Sequence, residues 1–166
     1  MQKDYFPLRL ENMGADIRFT QPDADEQNIR GTVVKVRKHK HPGGAFSYRF
    51  WRNDKSFAYC TDIEHGNKIK RKFVDFCSGV DLLIHDAQYT TKELETRQGW
   101  GHSSYEQAIE AAERVGAKQL ILTHHDPNHD DDFLRDREKE CQARFPNCQL
   151  AREGMEIDLS PGVNPV

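Results

Sequence analysis

Apolar and polar positions divide the chain into short strands at first, then strands alternating with helices. Thr32-Val33-Val34-Lys35-Val36 reads as a strand, while Tyr48 to Trp51 and Ser56 to Cys60 flank Asn53-Asp54-Lys55 as a hairpin. Asp81-Leu82-Leu83-Ile84-His85 is a brief apolar run that suits a buried strand. The best-marked helix begins at Ser103. Ser103 and Glu106 have capping-box spacing, Ala108, Ile109, Ala112 and Val115 recur at helical spacing, and Gly116 suits the left-handed position after the last turn. Gln119 to Thr123 then reads as a strand, and a second helix is predicted over Asp131 to Phe145, stopped by Pro146. Gln21 to Asn28 reads as a polar loop and Ser160 to Val166 as a frayed tail. The mixture predicts an α/β fold.

Length and charge narrow the possibilities. The chain has 166 residues, which fits one domain over 1–166, and it is 31% charged against 36% hydrophobic. No apolar run approaches the roughly 18 residues that a membrane helix needs, so no membrane partner is expected. Met1 to Pro7 lacks a basic segment followed by an apolar one, so a cytoplasmic location is the default expectation. A net charge of −3 argues against a basic nucleic-acid glove. One stretch runs the other way: Lys35 to His41, KVRKHKH, reads as a solvated strand edge, with a phosphate-facing patch as the alternative. Of the four cysteines none forms a CxxC pair; Cys60 and Cys77 read as buried thiols, and Cys141 and Cys148 as reduced despite their close spacing.

Candidate chemistry gathers just past the strands, where rigid scaffolds present functional groups. Thr123-His124-His125-Asp126-Pro127-Asn128-His129-Asp130 packs three histidines and two aspartates after a strand, a donor set that suits zinc, manganese or iron. A solvated polar loop is the alternative. Asp62, in Cys60-Thr61-Asp62-Ile63-Glu64-His65, has two carboxylate oxygens that can each bind a cation, or it can cap a turn. His39-Lys40-His41 would place both imidazoles on one strand face, ahead of Pro42-Gly43-Gly44. Asp86 lies in His85-Asp86-Ala87-Gln88-Tyr89. His102, in Gly101-His102-Ser103-Ser104, precedes a helix start that favours an anion.

Taken in order, these five motifs resemble the metallo-β-lactamase superfamily, in its RNase Z-like and cyclic-nucleotide phosphodiesterase-like branch, from about Tyr5 to Leu159. The resemblance implies the C-terminal half of an αββα sandwich, a mixed sheet with flanking helices. It implies His41 (seven residues before Tyr48), Asp62 and His124 as metal ligands, with Asp62 bridging. It implies His102 as the group that meets charge on the phosphate or leaving oxygen, Asp86 as its orienting carboxylate, and Ala151 to Met155 as a closing strand. Two divalent ions, zinc first and manganese or iron as alternatives, would lower the pKa of water and clamp a nucleotide or RNA phosphodiester.

One departure qualifies these expectations. The family's early H-x-H-x-D-H motif, which supplies most of its ligands, is absent, and Gly43 and Gly44 stand where an Asp-His pair would follow His39-Lys40-His41. With His41, Asp62 and His124, each of two ions would have only two protein ligands, where catalytic zinc usually has three. The chain also opens with Met1 inside sequence resembling the middle of the family. Two expectations follow: a hydrolase completed by a missing N-terminal half, or an inactive module for binding or assembly. A new metal site using His129 and Asp130, or His39, is a minor third. The half-fold should expose apolar surface and pair with itself as a homo-oligomer or with that missing half.

Overall fold

The computed structural model describes residues 12–17 and 26–159. Among the described residues seven strands form one sheet, paired in chain order. They are β1 (Glu26–Ile29), β2 (Thr32–His39), β3 (Ala45–Arg52), β4 (Lys55–Cys60), β5 (Leu82–Asp86), β6 (Gln119–Thr123) and β7 (Cys148–Leu150). The first four make an antiparallel meander, and β4 to β7 are parallel. Parallel neighbours need long crossovers, and helices supply them. These are α1 (Arg71–Cys77) between β4 and β5, α2 (Thr91–Thr96) with α3 (Tyr105–Val115) between β5 and β6, and α4 (Asp131–Arg144) between β6 and β7. The α/β class and mixed sheet expected above are present.

One sheet face makes the core. Ala58 and Cys60 of β4, Leu83 of β5, Leu120 and Leu122 of β6 and Leu150 of β7 pack with Phe73 and Phe76 of α1, the Ala108–Ile109–Ala112–Val115 stripe of α3 and Cys141 of α4. Strand alternation sends the intervening residues to the opposite face. The register pairs Tyr48 with Tyr59, Phe50 with Phe57, Phe57 with Leu82 and Tyr59 with Ile84. That second face is therefore apolar and aromatic, and Phe46, Tyr48 and Tyr59 on it are exposed.

Several expectations shift. The strands expected over 32–36, 48–51 and 56–60 lengthen, because ladder bonds recruit neighbours that no hydropathy pattern marks, while the one expected over 81–85 moves on by one residue and that over Gln119 to Thr123 keeps its bounds. The polar loop from Gln21 is a loop in name only at its end: Glu26 to Asn28 belong to β1, while 18–25 lie outside the described residues, as does the tail from Ser160. Of Lys35 to His41 only Lys35 is paired on both sides, with β1 and β3; among the described residues Val36 to His39 pair with β3 alone and so keep the expected edge character. The helix expected from Ser103 is capped one residue later, by Ser104 with Gln107. Ser103 instead spends its hydroxyl on the Ile63 carbonyl and its N–H on Asp86. Ala151 to Met155 forms no strand; the closing strand is β7, directly before it. All four cysteines are free and buried, with the Cys60 and Cys77 sulfurs 3.7 Å apart.

Candidate metal centre

The centre forms at the carboxyl ends of the strands, where open α/β sheets generally bind ligands. Asp62 follows β4, Asp86 ends β5 and His124 follows β6. Asp62 (φ +55°) and His124 (φ +67°) both hold the left-handed backbone conformation. A non-glycine residue adopts it at a cost, repaid by surrounding contacts, and such outliers concentrate at functional sites. The other two in the described residues, Arg30 and Asn53, sit in hairpin turns.

Asp86 is the hub. It is wholly buried, and its carboxylate accepts the backbone N–H of Asp62 (3.0 Å), the backbone N–H of Ser103 (2.9 Å) and Nδ1–H of His102 (2.9 Å). These three bonds tie the turn after β4 to the loop before α3. The Asp86 hydrogen bond pushes the His102 pKa above the ordinary histidine value, against an opposing push from burial. With Nδ1–H committed to Asp86, His102 presents Nε2 outward.

One ligand atom from each of Asp62, Asp86, His102 and His124 lies within 4.8 Å of the others. His124 Nε2 is 3.7 Å from Asp62 Oδ1, and the His102 and His124 rings are 4.7 Å apart. His41 is a neighbour outside this group: its ring lies 5.4 Å from that of His102. Its Nδ1–H donates to the Gly101 carbonyl at 3.3 Å, so Nε2 is the ring nitrogen left to face a metal. Imidazole nitrogens and a half-exposed carboxylate converging at one point are donors that fit a divalent ion of the zinc, manganese or iron class.

His39 has other work. Its Nε2–H donates to the Asp62 carbonyl (3.0 Å) and its Nδ1 accepts from the Ser47 hydroxyl (2.9 Å), so it braces the Asp62 turn. The histidine-rich segment after β6 disperses. Only His124 reaches the cluster; Asp126 closes its own turn through Asn128, His129 bonds Glu93, and Asp130 caps α4.

Two supporting groups carried no distinguishing signal in the sequence. Glu64 is buried and accepts Lys40 Nζ (3.0 Å) and the Gly101 N–H (3.0 Å). Burial alone would raise its pKa, but Lys40 and the Gly101 and Gly99 N–H groups hold it below the ordinary carboxylate value. His65 and His85 share a buried hydrogen bond of 2.9 Å. His85 Nδ1–H donates to the Asp86 carbonyl, so its Nε2 must accept from His65. Burial drives the pKa of both rings down, His65 well below the ordinary value.

Solved structures share this architecture. The metallo-beta-lactamase fold protein YhfI from Bacillus subtilis aligns with a TM-score of 0.64 and 24% identity, over 82% of this chain and 53% of that one. The short form of human tRNase Z aligns with a TM-score of 0.62 and 22% identity, over 81% of this chain and 47% of that one. The fold is thus that of the metallo-β-lactamases. Residues 3–125 match the family described as beta-lactamase superfamily domain, and the chain belongs to that family. Among curated proteins, Ribonuclease Z of Prochlorococcus marinus (strain NATL1A) is 38% identical over 111 residues, 63% of this chain and 33% of that protein. The chain therefore spans about a third of the length of that relative and about half that of the solved structures.

Proposed function

We propose that this chain carries the later half of the active site of a metal-dependent phosphodiester hydrolase acting on a nucleotide or RNA, completed by a partner segment. The convergence of Asp62, Asp86, His102 and His124 at the strand ends of a beta-lactamase superfamily chain carries the reading. The Ribonuclease Z relatives favour RNA as the substrate class.

In this reading residues 1–166 act as one domain. Asp62 and His124, with His41 Nε2 beside them, would hold the cations, zinc first and manganese or iron as alternatives. Two such ions, when bound, supply Lewis-acid polarisation of a phosphoryl oxygen and a lowered pKa for water. The chain's own residues do the rest. Asp86 fixes the His102 ring and favours its protonated form, so Nε2–H can donate to the phosphate or the departing oxygen. His39 and Asp86 hold Asp62 in its left-handed turn from opposite sides. The apolar second face of the sheet supports pairing, with a second copy or with a segment bearing the missing ligands.

A second reading, a non-catalytic module for binding or assembly, is favoured by the donor count. Three N–H groups already occupy the Asp86 carboxylate, leaving Asp62, His102, His124 and neighbouring His41 for two ions. Metal analysis of purified protein and hydrolysis of bis(p-nitrophenyl) phosphate separate the two. The hydrolase holds chelator-removable divalent metal and turns over, alone or with a co-expressed H-x-H-x-D-H segment. His102→Ala should then lower kcat by roughly 10²–10⁴ with metal content retained. Neither metal nor turnover under either condition leaves the binding module, and unchanged turnover in His102→Ala removes the role given to His102.

A further inference from the structure

The sequence carries eight Lys and Arg residues in two short segments, 35–41 and 68–72, with no carboxylate in either, although the whole chain has a net charge of −3. The fold brings these segments together. Strand β2 and the start of α1 face each other across a cleft of about 270 Å³. Arg37, Lys40, Lys70 and Lys72 stand on its walls, and Ile63, Phe73 and Phe76 provide apolar surface within it. Among the described residues Lys70 and Lys72 have no ion pair, whereas Lys40 is matched by Glu64. A merely solvated charged face needs neither concavity nor an aromatic lining. Phosphate contacts through Lys and Arg combined with aromatic surface are how proteins hold single-stranded nucleic acid. The volume lies just under the ~300 Å³ lower end of small-molecule pockets, which suits one nucleotide unit and excludes a duplex.

Position ties this cleft to the metal centre. His39 lines it and donates to the Asp62 carbonyl; Glu64 lines it and accepts the N–H of Gly101, the residue before His102. The cleft and the centre are thus adjoining, sharing His39 and Glu64 as common wall and support.

We propose that the cleft between β2 and α1 is a subsite for one nucleotide of a single-stranded RNA, its phosphate held by Lys70 and Lys72 and its base and ribose against the apolar lining. This rests on the phosphodiesterase reading for the choice of RNA, but its test does not require turnover.

The test is fluorescence anisotropy of a labelled single-stranded hexanucleotide RNA with the full chain, at two salt concentrations, after chelator treatment. Lys70→Glu/Lys72→Glu should weaken binding about tenfold or more and reduce the log–log salt slope by about 0.7, the share of one phosphate contact. Lys70→Arg/Lys72→Arg should keep both within about twofold, which also guards against a folding artefact. A control pair on α4, Arg135→Glu/Lys139→Glu, should change affinity less than about twofold. Equal loss in the control pair, no binding by the wild-type chain, or equal affinity for a duplex of the same length would overturn the subsite. Cleft-dependent RNA binding without phosphodiester hydrolysis would uphold the subsite and sink the enzymatic reading instead.

Discussion

At the scale of single residues, the centre depends on groups that hold other groups. Gly101 shows how little room there is. It has φ +100°, and a methyl group on its Cα would overlap His41 Nδ1 and stand 2.8 Å from Pro42 Cδ. Any L-residue there strains the backbone and displaces the His41 ring, whose Nδ1–H bonds the Gly101 carbonyl. Gly101→Ala should therefore cost about 1–3 kcal/mol in urea unfolding and weaken metal binding roughly tenfold or more in a competition titration. A variant that keeps both properties would show that the His41 loop is more tolerant than its packing implies. Asp86 illustrates the same dependence from the polar side. Its three accepted hydrogen bonds come from residues 62, 102 and 103, none of which neighbours it in sequence.

At the scale of elements, the short helix α2 is held by its cap and by one reach across the fold. Thr90 and Glu93 form a complete capping box, and Glu93 Oε1 also accepts His129 Nε2–H at 3.0 Å from the loop before α4. Burial would raise the Glu93 pKa, but the Thr90 N–H and His129 outweigh it and bring it down to about 2 from an ordinary 4.5. The ionised carboxylate is thus favoured by folding. Its contribution is whole above pH 4.5 and is lost as pH falls towards about 2. Glu93→Gln should lower unfolding free energy by about 1 kcal/mol at pH 7, since the side chain is partly solvated, and by less at pH 3. Urea titrations at the two pH values measure this; an equal gap at both would mean that the capping bonds are indifferent to charge. The helix starting near Ser103 was legible from its capping residues and stripe, yet its cap moved to Ser104 because Asp86 and Ile63 claim Ser103. Helices α1 and α2 escaped a pattern search, being seven and six residues long and too short for a periodic stripe to repeat.

At the scale of the whole molecule, one sheet face is covered by helices and the other carries aromatic residues towards the outside. Phe50 stacks on Phe57 with ring centroids 4.5 Å apart, and Tyr48, Tyr59 and Phe46 are exposed around them. Such a face drives association. The wild-type chain should sediment with a concentration-dependent average mass above that of a monomer, and Phe46→Glu/Tyr59→Glu should return it to monomer without lowering its melting temperature. A wild-type chain that stays monomeric at high micromolar concentration would remove the pairing proposed for this face. Among the described residues no helix is long and apolar enough to cross a membrane.

Local chemistry made part of this legible in one dimension. Alternating and helical periodicities, a serine cap and a left-handed glycine are short-range effects, so the α/β class, most strands and the α3 stripe could be read from neighbours in sequence. The order of acidic and histidine motifs likewise pointed to a metal centre, because donor type is a property of the residue. Which donors meet is a property of the fold. Of the histidines after β6 only His124 joins the cluster, Asp86 is consumed as a support, and the basic segments 35–41 and 68–72 line one cleft only because α1 packs beside β2. Those outcomes depend on contacts between residues 20 to 40 or more positions apart, where hydrogen-bond geometry and burial choose among residues that sequence alone leaves equivalent.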